Sequence, residues 1–442
     1  MHPHVSSPHA PSPTTATGSR TAVDGARLIA PDAARGLTLL GIAGANVTTA
    51  WVQAPDAPLA WLLGGVYENS LWDKIAVIFA CIFFHVRGLP MFSTLLGFGI
   101  GLIAASLYRR HYPLAQARRV IVKRYGWLAV FGLIHTVFIF YGDIMLFYGL
   151  AGMLLATMIT MSDKLLLILA GVMFAANTLM YLGIAGLTLF AGNLGTAEAV
   201  GLESNTLTGP IKNYLDQLTE GAVLAAMSPM LFVAEGLMLL PLMLVGMVAA
   251  RRGVFKNPAA FRRHLLLAMW IAVAVMLGIG LPTGLAMVGV LPTALAMPLF
   301  MVNNALGVLT GPGIIAAIIL ATMPAQRRAA AGQRPGVLLR MVLALGKRSM
   351  TGYLLQSVFF GILVAPWGLG LSQGQGAAES TLMAVVVWVL TLVCCGALEL
   401  ANKPGPFEWA HRRLSYGKTG LATDYRASHP VGIQGGNQPQ DS

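Results

Sequence analysis

Apolar stretches of about 20 residues, the length needed to cross a hydrocarbon core about 30 Å thick, recur along nearly the whole chain. Short clusters of Arg and Lys separate them. Strict alternation of apolar and polar positions is missing, so the pattern predicts helices rather than barrel strands. About ten spans follow from length alone. The first five run near Gly36 to Gln53, Ile75 to Tyr108 (a long stretch whose first part suits the interface), Ile121 to Phe140, Ile144 to Met161 and Leu165 to Phe190. The others run near Pro229 to Ala250, His264 to Leu281, Ala294 to Met323, Ser349 to Leu371 and Thr381 to Leu400. Between the seventh and eighth, LPTGLAMVGVLPTALAMP carries no charge to mark a loop. The predicted fold is all-α, a polytopic membrane helix bundle spanning residues 28–420.

One large external segment, Ala191 to Met227, interrupts the series. Within it Ile211, Tyr214, Leu215 and Leu218 fall at helical spacing on one stripe, which predicts an interfacial helix starting near Pro210. Residues 1–27, rich in Pro, Ser, Thr and Ala, cannot bury themselves and predict a disordered tail, as do residues 421–442. His2, His4 and His9 in that first tail imply no metal site.

Composition agrees with the pattern. The 442 residues are 56% hydrophobic and only 10% charged, too apolar to coat a water-soluble globule. Of the 29 Lys and Arg, 26 fall in the tail to Arg35, the loops near 109–124, 164, 251–263 and 327–348, and the segment 403–426. Only Lys74, Arg87 and Lys212 remain for the other side. That asymmetry predicts that both termini and every basic loop lie in the cytoplasm. It also explains the net charge of +12 by contact with anionic lipid headgroups rather than nucleic acid. Cys81, Cys394 and Cys395 all fall within spans, without disulfide or zinc spacing.

Ionisable groups at membrane depth must face the bundle interior, a partner or a wet cavity. GLIHTVFIFYGDIMLFYGL, residues 132–150, holds two. Asp143, at the junction of the third and fourth spans, suits a cap on the fourth helix. His135, deeper in the same hairpin, suits either interhelical hydrogen bonding or a proton-carrying role. In the first span Asp32 and Arg35 sit three residues apart, and Asn46 lies three turns beyond on nearly the same face. Glu235 needs protonation or a cationic neighbour, for which His135 and Arg87 are candidates. Arg348, Arg412, Lys347 and Arg413 flank spans, where topology is their default role and phosphate contact the sharper one.

DAARGLTLLGIAGAN, MFSTLLGFGIG, GLIHTVFIFYGDIMLFYGLAG, GKRSMTGYLLQS and GPFEWAHRRLSYG occur in that order, and together they resemble the YeiB-like inner-membrane family (domain of unknown function 418). That family is similar in turn to multi-span acyltransferases, including the heparan-glucosaminide N-acetyltransferase type. Arg35, Gly36 and Asn46 match the first-span positions of that group, and Pro90 and Gly97 those of its second. The resemblance implies a transmembrane acyltransferase with an acyl-coenzyme A donor and an envelope glycan or small-molecule acceptor. His135, Asn46 and Glu235 would then be catalytic, while Asp32, Arg35, Arg348 and Arg412 would hold the donor. One departure stands out: the stretch VTTAWVQAPDA lacks the His that follows the first-span Asn in the heparan-modifying enzymes, so His135 would have to replace it. A proton-coupled transporter and a non-catalytic scaffold are the rival readings.

Overall fold

The computed structural model describes residues 27–54, 56–193 and 206–425. The tails expected at 1–27 and 421–442 lie outside these residues apart from Arg27 and 421–425. Of the latter, Tyr425 donates its backbone N–H to the Arg110 carbonyl at 2.9 Å.

The architecture is all-helical among the described residues. It comprises α1 (Ile29–Asn46), α2 (Leu71–Phe83), α3 (Gly88–Arg109), α4 (Leu114–Phe138), α5 (Met145–Thr157), α6 (Asp163–Asn193) and α7 (Tyr214–Arg251). There follow α8 (Arg262–Val275), α9 (Leu281–Met287), α10 (Ala296–Leu306), α11 (Thr310–Ala330), α12 (Val337–Lys347), α13 (Ser349–Leu363), α14 (Ala377–Leu400) and α15 (Pro406–Tyr416). Each of the ten expected apolar segments falls on helix. By length and apolarity, however, seven helical segments among the described residues can cross a membrane. The apolar helices α5 and α13 are shorter: the 13 residues of α5 extend about 20 Å at 1.5 Å per residue, less than a hydrocarbon core.

Three departures from the expected boundaries have physical causes. The stretch Ile75 to Tyr108 is two helices, not one, broken at residues 84–87, where Val86 takes φ 55°. Arg87 fills the break. Its buried guanidinium donates to the carbonyls of Ile82 (2.9 Å), Cys81 (3.1 Å) and Val86 (3.2 Å), and to Asn303 Oδ1 at 3.0 Å. Carbonyls freed by the missing turn thus recover donors inside the bundle.

The external helix expected near Pro210 begins instead at Tyr214 and runs without a break into the following span. Asn213 caps it, its Oδ1 accepting from the Leu215 and Asp216 amides, while Asp216 returns a bond to the Asn213 N–H. At 38 residues α7 is about 57 Å long, so its first turns stand beyond the hydrocarbon. Finally, α12 and α15 are amphipathic helices in stretches that hydropathy alone left as basic loops.

Close backbone approach holds the bundle together, as expected where lipid removes the hydrophobic drive between helices. A Cβ added to Gly97 of α3 would lie 1.9 Å from the Met243 carbonyl oxygen of α7, and one on Gly246 would lie 2.0 Å from the Thr94 carbonyl oxygen. Gly132 and Gly149 play the same part between α5 and α4, meeting the Leu146 and Ala129 amide nitrogens. The opposite face of α6 is apolar and open, with Val172, Leu179 and Leu187 all more than half exposed, as suits lipid contact.

Overpacking at such a crossing costs about 1–3 kcal/mol or more. Gly97→Leu is therefore expected to lower the Tm of the detergent-purified protein. Gly183→Leu, where an added Cβ meets no atom, should leave it unchanged or raised.

Candidate functional site

The two ionisable groups of the third hairpin answer each other. His135 Nδ1 lies 2.8 Å from Asp143 Oδ1, and the side chains are 2% and 0% exposed. Tyr353 of α13 donates its hydroxyl to the same oxygen at 3.2 Å. The other oxygen, Oδ2, accepts the Leu146 N–H at 3.1 Å, so Asp143 caps the first turn of α5 as expected. Both carboxylate oxygens are engaged, and the group is sealed from water. The far nitrogen of the imidazole, Nε2, has no hydrogen-bond partner among the described residues.

Beside this lock lies a cavity of about 310 Å³, reached by Asn46 at the end of α1, Thr136, Ser228, Glu235 of α7 and Tyr353. The structure therefore brings together two of the three residues read as catalytic, Asn46 and Glu235, both half-buried. His135 stays behind the wall, with its neighbour Thr136 facing the space instead. Neither cation proposed for Glu235 pairs with it among the described residues: Arg87 is spent on the helix break and His135 on Asp143.

A second cavity of about 460 Å³ opens at the basic end of the bundle. Arg35, Arg124, Lys347 and Arg412 stand around its mouth, and Phe92, Leu95, Leu128 and Met350 line the passage inward. Ile42, Ile144 and Tyr353 line both cavities, which therefore meet at these three side chains. Of the expected donor-binding set, Arg35 and Arg412 reach this cleft. Arg348 does not, because its guanidinium is held by Glu399 at 2.6 Å and by the Lys403 carbonyl at 2.6 Å. Asp32 also lies elsewhere, paired with Arg27 at 2.6 Å and more loosely with Arg35 at 3.5 Å.

Sequence reading missed Arg124 and His411. Arg124 sat in a basic cluster whose topological role explained it fully, and His411 was hidden in the motif GPFEWAHRRLSYG. That motif builds α15, which forms the cleft floor. Glu408 accepts the Met350 and Thr351 amides at 2.8 and 3.0 Å, capping the start of α13, and also takes the Thr351 hydroxyl. His411 Nε2 donates to the Arg124 carbonyl at 2.7 Å, and Arg124 in turn reaches the Tyr416 hydroxyl at 3.0 Å. Burial and then the nearby Arg124 cation push the His411 imidazole down from 6.5 to about 4, so it sits neutral.

Fold and cavities define a multi-pass membrane protein with a basic cleft beside a second, largely apolar cavity that Asn46 and Glu235 reach. Residues 249–418 match the family described as Protein of unknown function (DUF418). That range includes α13, α15 and the two C-terminal motifs, so the resemblance read from the motifs fits at family level. The chain is also 24% identical over 406 residues to the uncharacterized protein YxaH of Bacillus subtilis (strain 168), covering 87% of this chain and 93% of YxaH. No solved structure matches the chain.

If His135 and Asp143 act as one buried unit, His135→Ala and Asp143→Ala will not be additive. A double-mutant cycle on thermal stability should return a coupling of about 0.5–3 kcal/mol, whereas a value near zero would mean that the pair is not formed. For His411 the sign follows from its lowered folded value. An unfolded imidazole takes up a proton as pH falls through 6.5, and the docked one resists until about 4, so docking stability is complete above 6.5 and is lost across that window. Hydrogen exchange of residues 406–416, corrected for intrinsic rate, should accelerate between pH 7 and 4.5. In His411→Gln that extra pH dependence should disappear.

Proposed function

We propose that this protein is a transmembrane acyltransferase of the bacterial inner membrane, with its basic end in the cytoplasm, carrying an acyl group from an acyl-coenzyme A donor to an envelope acceptor. What supports the reading is the meeting of the two cavities at Ile42, Ile144 and Tyr353. A donor rich in phosphate suits a mouth lined by Arg35, Arg124, Lys347 and Arg412, of which Arg124 and Arg412 form no ion pair among the described residues, while the one carboxylate lining it, Glu408, is already committed to backbone amides. Its thioester arm suits the apolar passage, and the acceptor hydroxyl or amine suits the chamber beyond.

In this mechanism Glu235 takes the acceptor proton while the acceptor atom attacks the thioester carbonyl carbon. Negative charge develops on the carbonyl oxygen, and the Asn46 amide N–H stabilises it. The carbon–sulfur bond then breaks, the proton passes from Glu235 to the departing thiolate, and free thiol leaves through the basic mouth. His135 acts here as a positioning residue: with Asp143 and Tyr353 it fixes the wall shared by the cavities.

Two measurements test this. Calorimetry with acetyl-coenzyme A on detergent-purified protein should show binding that weakens at least about tenfold in Arg124→Ala/Arg412→Ala, which is 1.4 kcal/mol or more. In proteoliposomes supplied with labelled donor and an envelope extract, Glu235→Gln should keep donor binding and lose transfer. His135→Ala should lower Tm first. Absence of donor binding by the wild-type protein would overturn the proposal, and gradient-driven solute flux without transfer would assign the same cavities to a transporter.

A further inference from the structure

We infer that a groove between α1, α12 and α14, separate from the donor cleft, is a binding site for an anionic phospholipid. The groove encloses about 860 Å³ at the basic end of the bundle. Four cations line it: Arg27, Arg334, Arg340 and Lys347. Two are paired within the chain, Arg27 with Asp32, which Arg35 shares, and Lys347 with Glu399, which Arg348 shares. Arg334 and Arg340 form no ion pair among the described residues, which leaves the groove with two uncompensated positive charges. An Arg pair of this kind can grip a phosphate bidentately, and basic pockets between helices at the membrane surface select anionic headgroups.

The wall away from these charges is apolar. Met341 of α12 and Val393 and Leu400 of α14 line it. Small residues keep it open: a Cβ on Gly396 would meet only the Met341 methyl, at 4.0 Å, and Ala344 and Ala397 add little bulk. Val337 and Leu338 at the start of α12, and Val393 and Leu400 on α14, are 65%, 70%, 53% and 85% exposed. In a chain with this many apolar helices such surfaces suit contact with lipid, which would let the groove open sideways toward the bilayer. An amphiphile satisfies both ends at once, its phosphate at Arg334 and Arg340 and one acyl chain along the Gly396 wall. A soluble anion would leave the apolar wall uncovered. Lys347 is the point of contact with the donor cleft, whereas Arg334, Arg340 and Gly396 line only the groove, so this inference holds whether or not the acyl-transfer reading does.

Native mass spectrometry of the full-length protein in a zwitterionic detergent, titrated with phosphatidylglycerol, phosphatidylcholine or inorganic phosphate, tests the site. Phosphatidylglycerol is expected to bind at least about tenfold tighter than phosphatidylcholine and to raise Tm. Arg334→Gln/Arg340→Gln should bring the two lipids level. Gly396→Leu, which blocks the wall and leaves every charge in place, should weaken phosphatidylglycerol as well. Equal affinity for the two lipids in the wild-type protein, or undiminished preference in the double Arg variant, would overturn the site. Binding of phosphate as tight as that of phosphatidylglycerol, unaffected by Gly396→Leu, would overturn its assignment to lipid.

Discussion

A carboxylate buried among apolar helices needs each of its oxygens engaged, and in this molecule Asp143 meets that demand by drawing three helices together. His135 comes from α4, the Leu146 amide from α5 and the Tyr353 hydroxyl from α13. Removing one partner of such a buried pair costs about 3–5 kcal/mol, because the other is left stranded. Ile144, just before α5, and Tyr353 of α13 line both the basic cleft and the cavity beside it. The wall that the two cavities share is therefore held by the hydrogen bonds of one buried side chain.

That demand also sorts the polar residues into two kinds. Arg87, Arg348, Asp73 and Glu408 are spent on backbone groups at helix ends and breaks: Asp73, for example, accepts the Ala378 amide at 2.9 Å and so ties α2 to α14. Asn46, Glu235 and Arg412 instead face open space. A ligand can act only on groups of the second kind, since recruiting one of the first would uncover a helix terminus. This distinction, more than burial or charge, is why the proposed mechanism gives the base to Glu235 rather than to His135.

Hydropathy alone located every apolar helix, because the length of a span and the cost of charge in lipid are local properties of the chain. Continuity was less legible. Whether residues 84–87 break a helix depends on Arg87 meeting Asn303, which lies 216 residues away, and no local pattern shows that. The fusion of the external helix with α7 turned on Pro229 being tolerated inside a packed helix, which neighbouring helices permit in membranes. For the site, the sequence showed which residues were costly but not what they touched. His135 and Asp143, eight residues apart, were readable as neighbours. Glu408 and Thr351, 57 residues apart, were not, although both lie in motifs that had been singled out.

The two cavities differ in a way that gives the molecule direction. At one end several cations gather and the nearby acids are consumed internally, so the cleft favours anions and repels other cations. At the other end a half-buried carboxylate and an amide face a chamber with no compensating cation among the described residues. On the proposed reading, a ligand that is anionic at its head and neutral along its arm would keep its head in the first and direct its arm toward the second, because past Ile42, Ile144 and Tyr353 the head would lose its counter-charges. Such a partition admits the neutral part of a ligand and retains the rest. The acyl-transfer proposal rests on that partition, since it requires a group to pass while its carrier stays at the basic mouth.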